Sequence, residues 1–224
     1  MTDHEHPGPP GAPAHDAVVL AGGTARRLGG VDKPAVRIGG RTLLDRVLGA
    51  CAEARTTVVV AAPRPTVRPV RWAREEPPGG GPVAALDAGL RQVTEERVLV
   101  LSADLPFLAP ATVRRLLDTL NTGRADGVLL TDADGRDQPL VAAYRTRALR
   151  GALAALAQEH GALTGLPLRR LTAALHLTRV PDPSASFDCD TWDDIAAARA
   201  RIREHGHVLD EWISAVKDEL GIDL

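Results

Sequence analysis

Ala17-Val18-Val19-Leu20-Ala21-Gly22-Gly23-Thr24-Ala25-Arg26-Arg27-Leu28-Gly29-Gly30-Val31-Asp32-Lys33 is the stretch on which the reading of the fold turns. A short apolar run stopped by paired glycines reads as a buried parallel strand running into a loop. Glycines lack a Cβ, so backbone N–H groups at Gly22 and Gly23 can turn toward an anion without a clash. Arg26, Arg27 and Lys33 add fixed positive charge. Donors held in place and aimed at negative charge are what a triphosphate and its leaving group require. The spacing is neither Gly-x-x-x-x-Gly-Lys-Ser/Thr nor Gly-x-Gly-x-x-Gly, which excludes the two common nucleotide loops. A glycine-rich turn with solvated arginines is the plainer alternative. The full string, placed directly after a buried strand, favours a phosphate cradle.

Working outward, Leu43, Leu44, Val47, Leu48, Cys51 and Ala54 recur at helical spacing, with Thr42 as N-cap. Strands are expected at Thr57 to Ala61, at Val67 to Trp72 and at Arg97 to Leu101. Helices are expected at Pro82 to Val93 and Pro110 to Leu120, each with proline in its first turn. Gly127 to Thr131 and Pro139 to Tyr144 read as two further strands, with Arg136-Asp137-Gln138 as the turn before the second. Leu149 to Gln158 reads as a helix, Leu175 to Val180 and Ser186 to Cys189 as strands, and Thr191 to Glu204 as a helix. Strands alternating with helices define an α/β fold with a mainly parallel sheet. Ligands of such sheets lie at the carboxyl ends of the strands, where the loops after Leu20 and Leu101 fall.

Residues 1–15, rich in Pro, Gly and His, read as a disordered tail in which His4 and His6 are solvated. Residues 16–205 form one domain. Val208, Leu209, Trp212, Ile213, Val216 and Leu220 mark an amphipathic helix within residues 206–224, a candidate stub of an added module. A net charge of −2 argues against a dedicated nucleic-acid binder. No apolar run reaches the roughly 18 residues of a membrane span, and no signal peptide is indicated. Cys51 and Cys189 lack metal-type spacing, so they are expected as packing residues in a reducing cytoplasm.

Asp104 ends an apolar strand and precedes Leu105-Pro106. A carboxylate there can hold Mg²⁺ against triphosphate oxygens, or it can cap the helix near Pro110. Asp190 or Thr191 can cap the helix that follows, with Asp188 two residues before Asp190. In Glu75-Glu76-Pro77-Pro78-Gly79-Gly80-Gly81-Pro82, a carboxylate can accept N–H groups and the Gly80-Gly81 backbone lets a flat ring approach, or the stretch is a charged surface loop.

The loop string resembles the Leu-Ala-Gly-Gly-x-x-x-Arg-Met-Gly-x-Asp-Lys signature of the molybdenum cofactor guanylyltransferases, with Leu28 at the Met position. The resemblance extends in blocks over residues 17 to 204. It implies a Rossmann-like three-layer nucleotidyltransferase fold. It further implies GTP and molybdenum-molybdopterin as substrates, and transient contact with cofactor-biosynthesis proteins or molybdoenzymes. Leu20, Ala21, Gly22, Gly23, Lys33, Glu76, Gly80, Gly81 and Asp104 are then the nucleotide-binding residues. Lys33, Arg27 and Asp104 are the catalytic ones, and Asp104 and Asp190 hold Mg²⁺. Arg136-Asp137-Gln138-Pro139 resembles the family's Arg-Asp-His-Pro block beside the pterin phosphate, with Gln138 in place of a titratable His. Two rivals remain: a cytidylyltransferase acting on molybdopterin or on a sugar or polyol phosphate, and a non-catalytic nucleotide-binding adaptor.

Overall fold

The computed structural model describes residues 13–22 and 29–204. Gly23, Arg27 and the helix expected within residues 206–224 lie outside the described residues, as does the tail up to residue 12. His15, at the end of the expected tail, is already packed: it is 1% exposed and its carbonyl accepts the Arg55 N–H at 2.9 Å.

In chain order the elements are β1 (Asp16–Leu20), a 3₁₀ turn (Lys33–Ala35), β2 (Arg37–Ile38), β3 (Arg41–Thr42), α1 (Leu43–Ala50), β4 (Thr57–Val60) and β5 (Arg71–Ala73). Then follow α2 (Pro82–Leu90), β6 (Arg97–Ser102), α3 (Pro110–Thr122), β7 (Gly127–Thr131), β8 (Asp137–Arg145), α4 (Thr146–His160), α5 (Leu168–Ala173) and β9 (Leu177–Pro181). A last helix, α6, covers residues 192–204. Seven strands form one sheet in the order β5-β4-β1-β6-β8-β7-β9, and β2 and β3 make a separate small hairpin.

Only β8 runs antiparallel to its neighbours β6 and β7; the other pairings in the large sheet are parallel. All six parallel strands therefore end at one edge of the sheet. The period-2 alternation of strand side chains divides the core into two layers. Ala17 and Val19 of β1 pack with Leu99, Leu101 and α1 and α3 residues. Val18 and Leu20 face Val98, Val100 and the α2 and α4 residues on the other side. A third, smaller cluster seats α6 against the hairpin through Ile38, Leu43, Cys189, Ile195 and Ala198.

Three expected elements differ. The strand expected at Val67 to Trp72 begins only at Arg71 and runs to Ala73, because the Val67 N–H and the Arg68 side chain are tied to α1 instead. The turn before β8 lies at Asp132–Gly135, ahead of Arg136-Asp137-Gln138, because the Asp132 carboxylate accepts the N–H groups of Asp134 and Arg136, each at 2.9 Å. Asp137 and Gln138 are thereby released into the strand. Ser186 to Cys189 is not a strand. Asp182 captures that segment instead: its carboxylate accepts the Ala185 N–H and its carbonyl accepts both the N–H and the hydroxyl of Ser186.

Candidate active site

The site begins where β1 and β6 run out together. The Ala103 N–H donates to the Leu20 carbonyl at 3.0 Å, and the Ala21 N–H donates to the Val60 carbonyl at 3.2 Å. These bonds align the exits of three adjacent parallel strands. Leu20 and Ala21 are nearly buried, and Gly22 stands exposed beyond them. The fold itself does not require glycine at position 22, where a Cβ would make an ordinary 3.6 Å contact with the Val60 carbonyl. Gly29 and Gly30 are different: their φ angles of 68° and 81° are left-handed, a region other residues rarely adopt.

Lys33 opens the 3₁₀ turn and reaches the end of β6. Its ammonium forms an ion pair with Asp104 and donates to Asp190 Oδ1 at 2.6 Å. Lys33 and Asp104 keep only 16% and 14% of their side-chain surface, so this pair is largely shielded from water. Burial pulls the Lys33 pKa down. Asp104 and Asp190 outweigh it and hold the ammonium above the ordinary lysine value. Ser102 donates its hydroxyl to the other Asp104 oxygen. Asp104 is thus committed to Lys33, and it does not cap α3, whose N-cap Ala109 makes no side-chain cap bond.

Asp188-Cys189-Asp190 crosses the end of β6 as a strap. The Cys189 N–H donates to the Asp104 carbonyl at 3.2 Å while its side chain is buried in the third apolar cluster. The flanking carboxylates reach Asp104: oxygens of Asp104, Asp188 and Asp190 all lie within 4.8 Å of one another. Partial withdrawal from water, then the facing charges of Asp104 and Asp190, hold the Asp188 carboxyl above its usual value. The two readings of Asp190 separate here. Thr191 is the cap of α6, its hydroxyl accepting the Asp194 N–H at 3.1 Å while the Asp194 carboxylate accepts the Thr191 N–H at 2.7 Å. Asp190 pairs with Lys33.

The structure gathers Leu20, Ala21, Lys33, Asp104 and Asp190 into one place and adds Asp188 to them. Glu76 is not tied to them: among the described residues no hydrogen bond or ion pair joins it to this cluster. It is exposed and, with Glu75, lines a cavity of about 880 Å³ between α2 and α4. Glu75 closes its own turn by accepting the Gly79 N–H at 3.1 Å. The Gly80 carbonyl is held by the Gly165 N–H at 2.8 Å, and Gly81, at φ 88°, leads into α2. Gln138 donates its amide to Asp132 at 3.0 Å, and Asp137 is engaged by Arg179 at 2.7 and 2.8 Å. The thiols are packing groups: burial raises Cys51 to about 11 and Cys189 to about 12, the latter helped by Asp104. Sequence reasoning passed over Arg64, which sits in a proline-flanked loop with no pattern to single it out, yet donates to both carboxylate oxygens of Asp32 at 2.6 Å.

An α/β sheet with a lysine and clustered carboxylates at its strand ends suits an enzyme acting on a phosphorylated substrate, and the comparisons with known proteins identify the class as nucleotidyltransferase. The chain belongs to the MobA-like NTP transferase domain family, which it matches over residues 17–179. It is 38% identical over 160 residues to the molybdenum cofactor guanylyltransferase of Rhodopseudomonas palustris strain BisB5, covering 66% of this chain and 70% of that one. It is 32% identical over 198 residues to the same-named protein of Bradyrhizobium sp. strain ORS 278, covering 81% and 90%. The crystal structure of molybdopterin-guanine dinucleotide biosynthesis protein A from Archaeoglobus fulgidus superposes with a TM-score of 0.66 at 22% identity, over 84% of this chain and 99% of that one. The 2-C-methyl-D-erythritol 4-phosphate cytidylyltransferase of Thermus thermophilus shares the fold with a TM-score of 0.62 at 21% identity, over 84% and 98%. The protein is an enzyme of nucleotidyl transfer, not an adaptor. Among the described residues no helix is long and apolar enough to cross a membrane.

Proposed function

We propose that this enzyme transfers GMP from GTP to the phosphate of molybdenum-molybdopterin, releasing pyrophosphate and forming molybdopterin guanine dinucleotide. The observation that carries the reading is the Lys33 ammonium set between Asp104 and Asp190 at the far end of the glycine-rich loop. The relatives named molybdenum cofactor guanylyltransferase support guanine as the base and the pterin as the acceptor.

In this reading an oxygen of the pterin phosphate bonds to the α-phosphorus. The bond from that phosphorus to the bridging oxygen breaks, and its electron pair leaves with pyrophosphate. The nucleophile is already ionised, so no protein base is needed, and an amide at Gln138 is tolerated. Lys33 and Arg27 neutralise charge gathering on the leaving group, and the Leu20 to Gly23 backbone lines the phosphates. Glu76, Gly80 and Gly81 face the donors of the guanine. Such positioning and electrostatics supply most of the rate in phosphoryl chemistry.

The donor set fits a hard divalent cation: three carboxylates lie close together, and the one nearby thiol is buried and protonated. Asp104 and Asp190 would hold Mg²⁺, which supplies positive charge for the triphosphate oxygens. Residues 16–205 are then the catalytic domain, working in the cytoplasm, with residues 206–224 available for contact with cofactor-biosynthesis proteins or molybdoenzymes.

The test supplies molybdopterin-loaded acceptor, Mg²⁺ and either GTP or CTP, and follows pyrophosphate release and the mass of the product. GTP-dependent formation of the guanine dinucleotide is expected. A preference for CTP would favour the second reading, cytidylyl transfer, for which the likeness to a cytidylyltransferase fold is the supporting observation.

A further inference from the structure

The glycine-rich loop must deliver Lys33 to the end of β6, yet its outgoing part is made for freedom. Gly29 and Gly30 both take left-handed backbone angles, and a Cβ at either would meet nothing within 4 Å. Asp32 precedes the 3₁₀ turn, but its side chain makes no capping bond. The carboxylate reaches across the chain instead, where Arg64 Nη1 lies 2.6 Å from each of its two oxygens.

Arg64 is a fixed post. The segment that carries it leaves β4 and is pinned to both ends of α1. The Val67 N–H donates to Asp45 Oδ1 at 3.0 Å near the start of that helix. Arg68 donates to the carbonyls of Leu48 and Cys51, at 3.2 and 2.9 Å, near its end. The Ala61 N–H donates to the Ala73 carbonyl at 3.0 Å, joining the start of the segment to β5. The Arg64 side chain is 22% exposed, and its Nε is shut off from water without a partner. The guanidinium is thus held in place by its surroundings, while the Asp32 carboxylate it grips is 57% exposed.

We propose that Arg64 is a positioning residue: through Asp32 it anchors the outgoing end of the glycine-rich loop and so sets where the Lys33 ammonium stands. The 3₁₀ turn carries that constraint forward by one residue, because the Ala35 N–H donates to the Asp32 carbonyl at 2.9 Å and the Val36 N–H to the Lys33 carbonyl at 3.1 Å. The inference rests on the proposed function, in which Lys33 meets the nucleotide phosphates.

The test compares the wild-type chain with Arg64→Ala, Asp32→Asn and the double variant. GTP binding is titrated without acceptor, KM and kcat are measured with it, and the thermal midpoint is followed throughout. Each single variant is expected to weaken GTP binding and raise KM by roughly 10- to 100-fold, the scale of a misplaced binding group. The double variant is expected to be no worse than the poorer single, since both break one contact. Arg64→Lys should recover part of the loss. Unchanged binding and KM in the singles, or losses that multiply in the double, would overturn the role. A lowered thermal midpoint with normal KM would reduce Arg64 to a structural residue and overturn it equally. If Arg64→Ala does not fold, Asp32→Asn cuts the same pair from its more exposed side and decides alone. Failure of the wild-type chain to bind GTP would instead sink the functional reading, which keeps the two failures distinct.

Discussion

Two aspartates mark opposite edges of the same sheet. Asp16 opens β1, and Asp104 follows β6, the strand beside it. Asp16 is wholly buried, and its carboxylate accepts the N–H groups of Thr56, Thr94 and Glu95 at 2.9, 2.7 and 3.1 Å. It has no need of a counter-ion, because backbone dipoles satisfy it where two loops meet the bottom of the sheet. Asp104 is also largely covered, but it faces two more carboxylates and one ammonium. The first aspartate spends its bonding capacity on the protein. The second is held in an arrangement that the fold alone would not favour, since like charges gathered together destabilise their surroundings. The same residue type thus ties loops to the sheet at one edge and pairs with Lys33 beside two further carboxylates at the other.

The contrast can be broken most directly at Asp104. Asp104→Asn is expected to lower pyrophosphate release by about 10²-fold or more while the chain still unfolds cooperatively. Near-normal turnover would remove Asp104 from the chemistry. Asp16→Ala should do the reverse. Stranding its buried N–H donors is expected to cost about 3 kcal/mol or more in a urea titration, with turnover per folded molecule unchanged. A cost under about 1 kcal/mol would mean that water replaces the carboxylate there. Between the two edges, Gly89 of α2 lies against β1. An added Cβ would fall 2.6 Å from Val18 Cγ1 and 2.9 Å from Val60 Cγ2, so Gly89→Ala should lose about 1–3 kcal/mol by overpacking. A neutral result in the same titration would show that helix and sheet can separate without strain.

The smallest effect sharpens the picture of the upper edge. The folded protein holds the Asp188 proton to a higher pH than the unfolded chain does, whose carboxyl titrates near about 4. Between those two values the native state binds more protons, so stability falls as pH rises through that window. Asp188→Asn removes the loss. Its thermal midpoint should exceed that of the wild type at neutral pH, and the difference should vanish below the window. A variant less stable than wild type at neutral pH would show that Asp188 is welcomed by its neighbours.

Most of the fold could be read from local pattern. Ala17 to Leu20 and Arg97 to Leu101 are apolar runs with abrupt ends, and both are central strands. Thr42 does cap α1, accepting the Asp45 N–H at 3.0 Å. What the pattern missed depends on contacts distant in sequence or on single side chains. The antiparallel course of β8 is set by its two neighbours, and alternation of strands and helices says nothing about direction. The turn at Asp132 is made by one carboxylate. The helix α5 is only a turn and a half long and buries Leu171 alone, too little for a periodic signal. Among the site residues, Lys33 and Asp104 stand in recognisable strings at strand ends. Asp188 is visible only as the first member of Asp-x-Asp, and whether two such carboxylates share a face depends on a backbone conformation that two residues do not dictate. Arg64 gives no signal at all, because its importance comes from what lies across from it.

The strap through Cys189 has a consequence for any rebuilding of this enzyme. Its phase is fixed by one buried plug and one backbone hydrogen bond, from the Cys189 N–H to the Asp104 carbonyl just past β6, so the spacing of the acidic pair is set by the plug. Residues on either side of the plug emerge together, and the plug itself carries no charge that matters. An apolar side chain of similar size at position 189 keeps the pair intact and removes a thiol from the chain. One residue inserted on either side of it would carry one of the two carboxylates away from Asp104. Length in this segment is therefore less negotiable than composition, and families of variants should be drawn with its spacing held constant.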